Sequence, residues 1–159
     1  SDSPGISFAC QFLASLCDSL NRHQPSEKHL EPGPVQVACY DGKGAHYAVH
    51  KDHSDFGLLP FLGKALPDEP AERVVARRRV TAILYLQDDW EDAWGGALRA
   101  HRGTVFEVME RQARRQEEPG DYVDVEPYGG RLVLFRSMDL AHEVLETSHQ
   151  RCALSMWIL

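Results

Sequence analysis

The fold class this sequence predicts is all-β, a jelly roll with one flanking helix. Three observations carry that prediction. A single N-terminal stretch has apolar residues at helical spacing. About eight short apolar or alternating runs follow it. Gly, Pro and Asp clusters separate those runs at turn-like intervals.

The elements follow in order. Residues 6–20 place Phe8, Phe12, Leu13, Leu16 and Leu20 on one face of a helix. Residues 21–34 are polar and carry prolines, so they read as a loop. Val35–Tyr40 is the first strand, 41–44 (Asp-Gly-Lys-Gly) a turn, and Ala45–His50 a returning strand that Asp52 closes. Residues 53–72 hold Gly57, Pro60, Gly63, Pro67 and Pro70 and read as a long excursion, a place for a lid or for disorder. Val80–Leu86 is apolar on both faces, so it is expected in the centre of a sheet. Short strands are expected at 97–101, 122–126, 131–135, 141–145 and 151–159, while 104–118 reads either as a short helix or as an insertion in a hairpin.

Length and charge narrow the function. The 159 residues fit one domain, 1–159, large enough for a core without staples. The chain ends inside a strand-like run, which reads as a domain cut from a longer polypeptide. The formal charge of −7 argues against nucleic-acid binding. The clusters Arg73, Arg77, Arg78, Arg79 and Arg111, Arg114, Arg115 read as solvated faces. No signal peptide and no apolar run long enough for a membrane span is visible. The four cysteines lack C-x-x-C spacing. Cys39 and Cys152 read as small buried hydrophobes, and an intracellular compartment, cytoplasm or nucleus, is expected.

The chemistry-bearing residues cluster around His50-Lys51-Asp52. Residues two apart on a strand face the same side, so one imidazole and one carboxylate converge. His142 offers a third ligand. Two histidines and a carboxylate on one face of an octahedron suit non-heme Fe(II), which needs open positions. On the last strand Arg151, Ala153, Ser155 and Trp157 share a face that would point inward, and Cys152, Leu154, Met156 and Ile158 share the face toward the helix. A buried Arg151 needs an anionic partner, and a small acid's carboxylate fits its fork. Tyr85 and Tyr40 could add hydroxyl donors to the same ligand.

Blander readings stand beside these. The His-Asp-His set is also readable as a structural polar cluster, and His46 with His50 as a zinc pair if the segment were helical. Arg151 has Glu143 or Glu146 as candidate core partners. Tyr85 and Trp157 serve equally as core aromatics, and Trp90 and Trp94 as a packed loop edge. His23, His29, His101 and His149 read as surface residues.

The motifs as a set resemble a known family. Tyr40-x-Gly42-x-Gly44-x-x-Tyr47-x-x-His50-x-Asp52, Arg79-Val80-Thr81-x-Ile83-x-Tyr85-Leu86, Gly95-Gly96-x-Leu98-Arg99, Arg131-Leu132-x-x-Phe135, His142-Glu143-Val144 and Arg151-x-Ala153-x-x-x-Trp157 are similar to the Fe(II)/2-oxoglutarate dioxygenases. The nearest resemblance is to the prolyl 4-hydroxylase group, in particular its oxygen-sensing, hypoxia-inducible-factor type. The resemblance spans residues 35–159. It implies a cupin-like double-stranded β-helix, Fe(II) on His50, Asp52 and His142, and 2-oxoglutarate held at its far carboxylate by Arg151 and Tyr85. Tyr40 and Leu98 would line that pocket, with Ile83, Val144 and Trp157 nearby. It also implies succinate and CO2 as co-products, ascorbate as a supporting reductant, and a proline-containing peptide or protein as substrate. Collagen-type members tend to carry Lys where Arg151 stands, which favours the oxygen-sensor branch. Residues 53–77 and 104–120 depart from the pattern and bear on the substrate. Three functions are weighed: the hydroxylase, on a prolyl or another substrate; a silent jelly-roll sensor; and a cupin-like isomerase or hydrolase, which would not require Arg151 and Tyr85.

Overall fold

Eight strands form two four-stranded antiparallel sheets, ordered β1-β8-β3-β6 and β2-β7-β4-β5. The computed structural model describes residues 4–23, 29–53 and 77–159. The elements are α1 (Pro4–His23), β1 (Pro32–Tyr40), β2 (Ala45–His50), β3 (Val80–Tyr85), a short 3₁₀ turn (Asp92–Trp94), β4 (Leu98–His101), α2 (Val105–Arg114), β5 (Tyr122–Val125), β6 (Leu132–Arg136), β7 (Ala141–Thr147) and β8 (Arg151–Ile158). The alternation of sheets along the chain is that of a jelly roll. The first sheet ends on β1 and β6 and the second on β2 and β5, with no strand pairing between them, so no closed barrel forms among the described residues.

The strand β8 organises the first sheet. Leu154, Met156 and Ile158 point outward and are buried with Ala9, Leu13 and Cys17 of α1 and Ala82 of β3. That is the expected amphipathic stripe of α1 finding its partner, and Arg22 and His23 in its last turn complement the helix dipole. The opposite face of β8 turns toward the second sheet, where Ile83, Tyr85, Leu98 and Ala153 form a second buried cluster. β3 lies between β8 and β6, as its two apolar faces predict.

Three local readings change. β1 begins at Pro32 rather than Val35, because an edge strand tolerates proline where no ladder bond is needed. Residues 105–114 resolve to a helix, fixed by a capping box in which Thr104 accepts from the Glu107 backbone and Glu107 accepts from that of Thr104. Cys39 and Cys152, opposite each other on β1 and β8, are joined as a disulfide, Cys39 exposed and Cys152 half-buried, rather than standing as buried thiols. The excursion expected at 53–72 falls, from residue 54 on, outside the described residues.

The turn before β2 follows from its glycines. Gly42 has φ of 80°, and a Cβ there would lie 2.6 Å from the Ser148 carbonyl oxygen. Only glycine permits both the conformation and that approach. The β1–β2 turn therefore packs against the β7–β8 turn, which brings Tyr40, at the end of β1, opposite Arg151, at the start of β8.

Candidate active site

His50 and His142 are opposite one another on β2 and β7. Their rings are 4.3 Å apart between centroids. Asp52 lies just past β2 and receives both: Nε2 of His50 is 3.6 Å from its Oδ1, and Nε2 of His142 is 3.7 Å from its Oδ2. One ligand atom from each residue falls within 4.8 Å of the others, the spacing a single ion spans. Among the described residues this is the one group of three potential metal ligands that converges.

The second ring nitrogens settle which atoms face the ion. Nδ1 of His50 sits 2.9 Å from the Ala48 carbonyl and Nδ1 of His142 sits 3.2 Å from that of Leu140. A proton on Nδ1 donates to each carbonyl and leaves Nε2 with its lone pair directed at Asp52. Burial holds the His142 imidazole below its usual pKa, toward the neutral form a ligand must have, against the opposing pull of Asp52. Burial also pushes the Asp52 carboxyl up, but the facing His50 and His142 imidazoles and the Thr81 hydroxyl together outweigh it and hold it below its usual range. Thr81 donates to Asp52 Oδ2 at 2.8 Å and is itself 2.9 Å from Ser137, both buried on β3 and after β6.

A cavity of about 400 Å³ opens on this group. It is walled by Ile83, Leu98, Val144, Ala153 and Trp157, with Arg151 deep on one side. That volume is in the range of a small-ligand site. Arg151 is 2% exposed. Its guanidinium carbon lies 5.2 Å from the Tyr40 ring centre and 5.0 Å from that of Tyr85. Glu143, one of its two candidate partners, is engaged elsewhere, and no acid pairs with Arg151 among the described residues. Nε of Arg151, the hydroxyl of Tyr85 and Nε1 of Trp157 are buried without a hydrogen-bond partner. Burial pushes both phenols up, and the Arg151 charge offsets this in part, so each stays an O–H donor. Orphaned buried donors cost about 1–3 kcal/mol each. A cluster of them around one cation marks a place shaped for an anion. The residues therefore fit the pair the motifs imply: a divalent metal on nitrogen and carboxylate ligands, and a carboxylate at the far end.

The structure thus brings together His50, Asp52, His142, Arg151, Tyr40, Leu98, Ile83, Val144 and Trp157 around one cavity, with Tyr85 buried beneath Arg151. It separates others. His46 is exposed and its ring is hydrogen-bonded to the Gly44 carbonyl, on a strand, so the helical zinc pairing does not form. Trp90 and Trp94 pack edge to face at 5.5 Å, with His149 stacked on Trp94. His101 is a correction: it is 4% exposed, and Nε2 lies 2.8 Å from Glu143. Arg78 is another. It lines the cavity with its guanidinium 3.7 Å over the Trp157 ring and one nitrogen donating to the Asp52 carbonyl. Lys51 and Tyr47 also line the cavity and were not singled out by sequence. For Tyr47, three residues before His50 in the quoted motif, a signal was present.

Comparison with known proteins gives the same direction. The description of the 2OG-Fe(II) oxygenase superfamily matches residues 35–159. Among solved structures, a Pseudomonas putida prolyl-4-hydroxylase is 28% identical with a TM-score of 0.60, covering 92% of this chain and 62% of its own. A prolyl hydroxylase from Trichoplax adhaerens, solved with a hypoxia-inducible-factor peptide fragment, is 25% identical with a TM-score of 0.60, covering 95% of this chain and 56% of its own. A viral collagen prolyl hydroxylase from Paramecium bursaria Chlorella virus-1, in a 2-oxoglutarate complex, shares the fold at 20% identity and a TM-score of 0.54, covering 91% of this chain and 68% of its own. The chain therefore spans less than two thirds of the length of the first two.

Proposed function

The chain belongs to the 2OG-Fe(II) oxygenase superfamily, and from that premise we propose that it is a hydroxylase of peptidyl proline that consumes 2-oxoglutarate and oxygen and releases succinate and CO2. His50, Asp52 and His142 hold Fe(II). Arg151, with the hydroxyls of Tyr85 and Tyr40, holds the far carboxylate of 2-oxoglutarate. When bound, Fe(II) and 2-oxoglutarate supply the oxygen activation that the side chains themselves cannot.

The protein's own part is positional. Ala48 and Leu140 fix the two imidazoles through their carbonyls, and Thr81 orients Asp52. Ile83, Leu98, Val144 and Trp157 wall the cosubstrate from water. The observation that carries the reading is the buried guanidinium of Arg151, unpaired among the described residues, in the same cavity as the three convergent ligands. An isomerase or hydrolase on the same scaffold would have no use for it. Prolyl specificity draws its support from the two prolyl hydroxylases of 25% and 28% identity.

The test is succinate release from 2-oxoglutarate with Fe(II) and ascorbate, combined with mass spectrometry of a proline-containing peptide library. The reading expects succinate and a gain of one oxygen atom on proline. Succinate release with oxygen incorporated only at other residues would retire the prolyl assignment and keep the oxygenase.

A further inference from the structure

We infer that Lys51 is a specificity-determining residue that selects substrates with an acidic side chain beside the target proline. The inference rests on the hydroxylase reading above and concerns the same cavity.

The charged residues that line the cavity are Lys51, Asp52, Arg78 and Arg151. Three are cations, and Asp52 is the one carboxylate among the described residues. Loading does not change that balance: Fe(II) adds two positive charges and 2-oxoglutarate two negative ones. Arg151 is then matched by the cosubstrate, and Asp52 by the metal. Among the described residues, Lys51 and Arg78 remain as cations that line the cavity without a carboxylate to match them. This stands against a chain of formal charge −7, so the cavity is locally opposite in sign to the molecule around it.

The two cations differ in freedom. Arg78 is pinned by its bond to the Asp52 carbonyl and its stacking on Trp157. Its geometry is spent on holding the wall. Lys51 forms no ion pair or side-chain hydrogen bond among the described residues, and it is half-buried. Its backbone is fixed between two of the ligand residues, so its position in the cavity wall is set although its stem is flexible. An ammonium on such a stem meets a carboxylate as a point charge, with little demand on angle. Its neighbours His50 and Asp52 face the metal position, so Lys51 is left to meet the flank of a bound peptide rather than the reacting carbon.

The test uses the protein loaded with Mn(II) and 2-oxoglutarate without oxygen, so that binding is read without turnover. Fluorescent peptides carry a central proline flanked by Asp, Asn or Lys. The Asp peptide is expected to bind about tenfold tighter than its Asn isostere, with the difference shrinking as salt rises. Lys51→Met is expected to level the two, and Lys51→Glu to reverse the order in favour of the Lys flank. Equal binding of Asp and Asn peptides by the unaltered protein would overturn the inference, as would an Asp preference that persists in Lys51→Glu. The salt series needs no variant, so loss of folding in either substitution leaves the inference exposed to refutation. A parallel set with central alanine separates the two readings. Acid preference without a need for proline retires the prolyl assignment and keeps Lys51. A need for proline without acid preference does the opposite.

Discussion

Two arginines, one in each sheet, sit against tyrosine rings and differ in one respect. Arg99 on β4 lies 3.7 Å over the Tyr122 ring and meets both oxygens of Asp124 at 2.7 Å. Arg151 on β8 lies between the Tyr40 and Tyr85 rings and meets no carboxylate among the described residues. The first site supplies its own anion from the neighbouring strand and is a finished piece of sheet. The second supplies the fork, the hydroxyls and the apolar walls, and leaves the anion out. The same contrast holds for histidine. His101 is buried against Glu143, whereas His50 and His142 direct their free nitrogens at a point shared with Asp52. A guanidinium or imidazole matched by the protein's own carboxylate marks structure, whereas several donors converging on one cavity without such a match mark the place of a ligand.

The comparison can be broken at several points. Asp52→Ala is the largest: turnover measured as succinate release is expected to fall below detection, since a metal site of three protein ligands does not survive the loss of its carboxylate. Arg151→Ala is expected to raise the KM for 2-oxoglutarate by about two orders of magnitude, the worth of a charge-assisted bidentate contact. Reduction of the Cys39–Cys152 disulfide acts on stability instead. It is expected to cost about 2–4 kcal/mol in chemical denaturation, because it closes a separation of 113 residues between the strands that bear Tyr40 and Arg151. Arg99→Ala is the smallest. It is expected to cost about 1 kcal/mol of stability or less and to leave the KM for 2-oxoglutarate within about twofold, since its partner is the protein's own and the pair is partly exposed. A large KM effect from Arg99 would dissolve the contrast.

Much of this was legible in the sequence for a definite reason. Strand alternation fixes which side chains share a face, so the inward set Arg151, Ala153, Ser155, Trp157 and the outward set Leu154, Met156, Ile158 could be separated from one run of residues. The His-x-Asp spacing works the same way. What sequence could not give were partners set by the other sheet or by a distant strand. Arg78 read as part of a solvated basic run because its stacking partner, Trp157, is on the last strand. His101 read as surface because Glu143 is 42 residues away. Cys39 and Cys152 lacked any short spacing and are joined only by the register of β1 and β8. The helix α2 is a different case: Thr104-x-x-Glu107 was a readable start signal, obscured by the charged run that follows.

The most direct test of the central claim compares two ligands on two proteins. Binding of 2-oxoglutarate and of 2-oxopentanoate, which lacks the far carboxylate, is measured by calorimetry on the Mn(II)-loaded protein and on Arg151→Ala without oxygen. The account predicts that the unaltered protein prefers 2-oxoglutarate by about a hundredfold and that Arg151→Ala binds both alike. A preference that survives the substitution would contradict it.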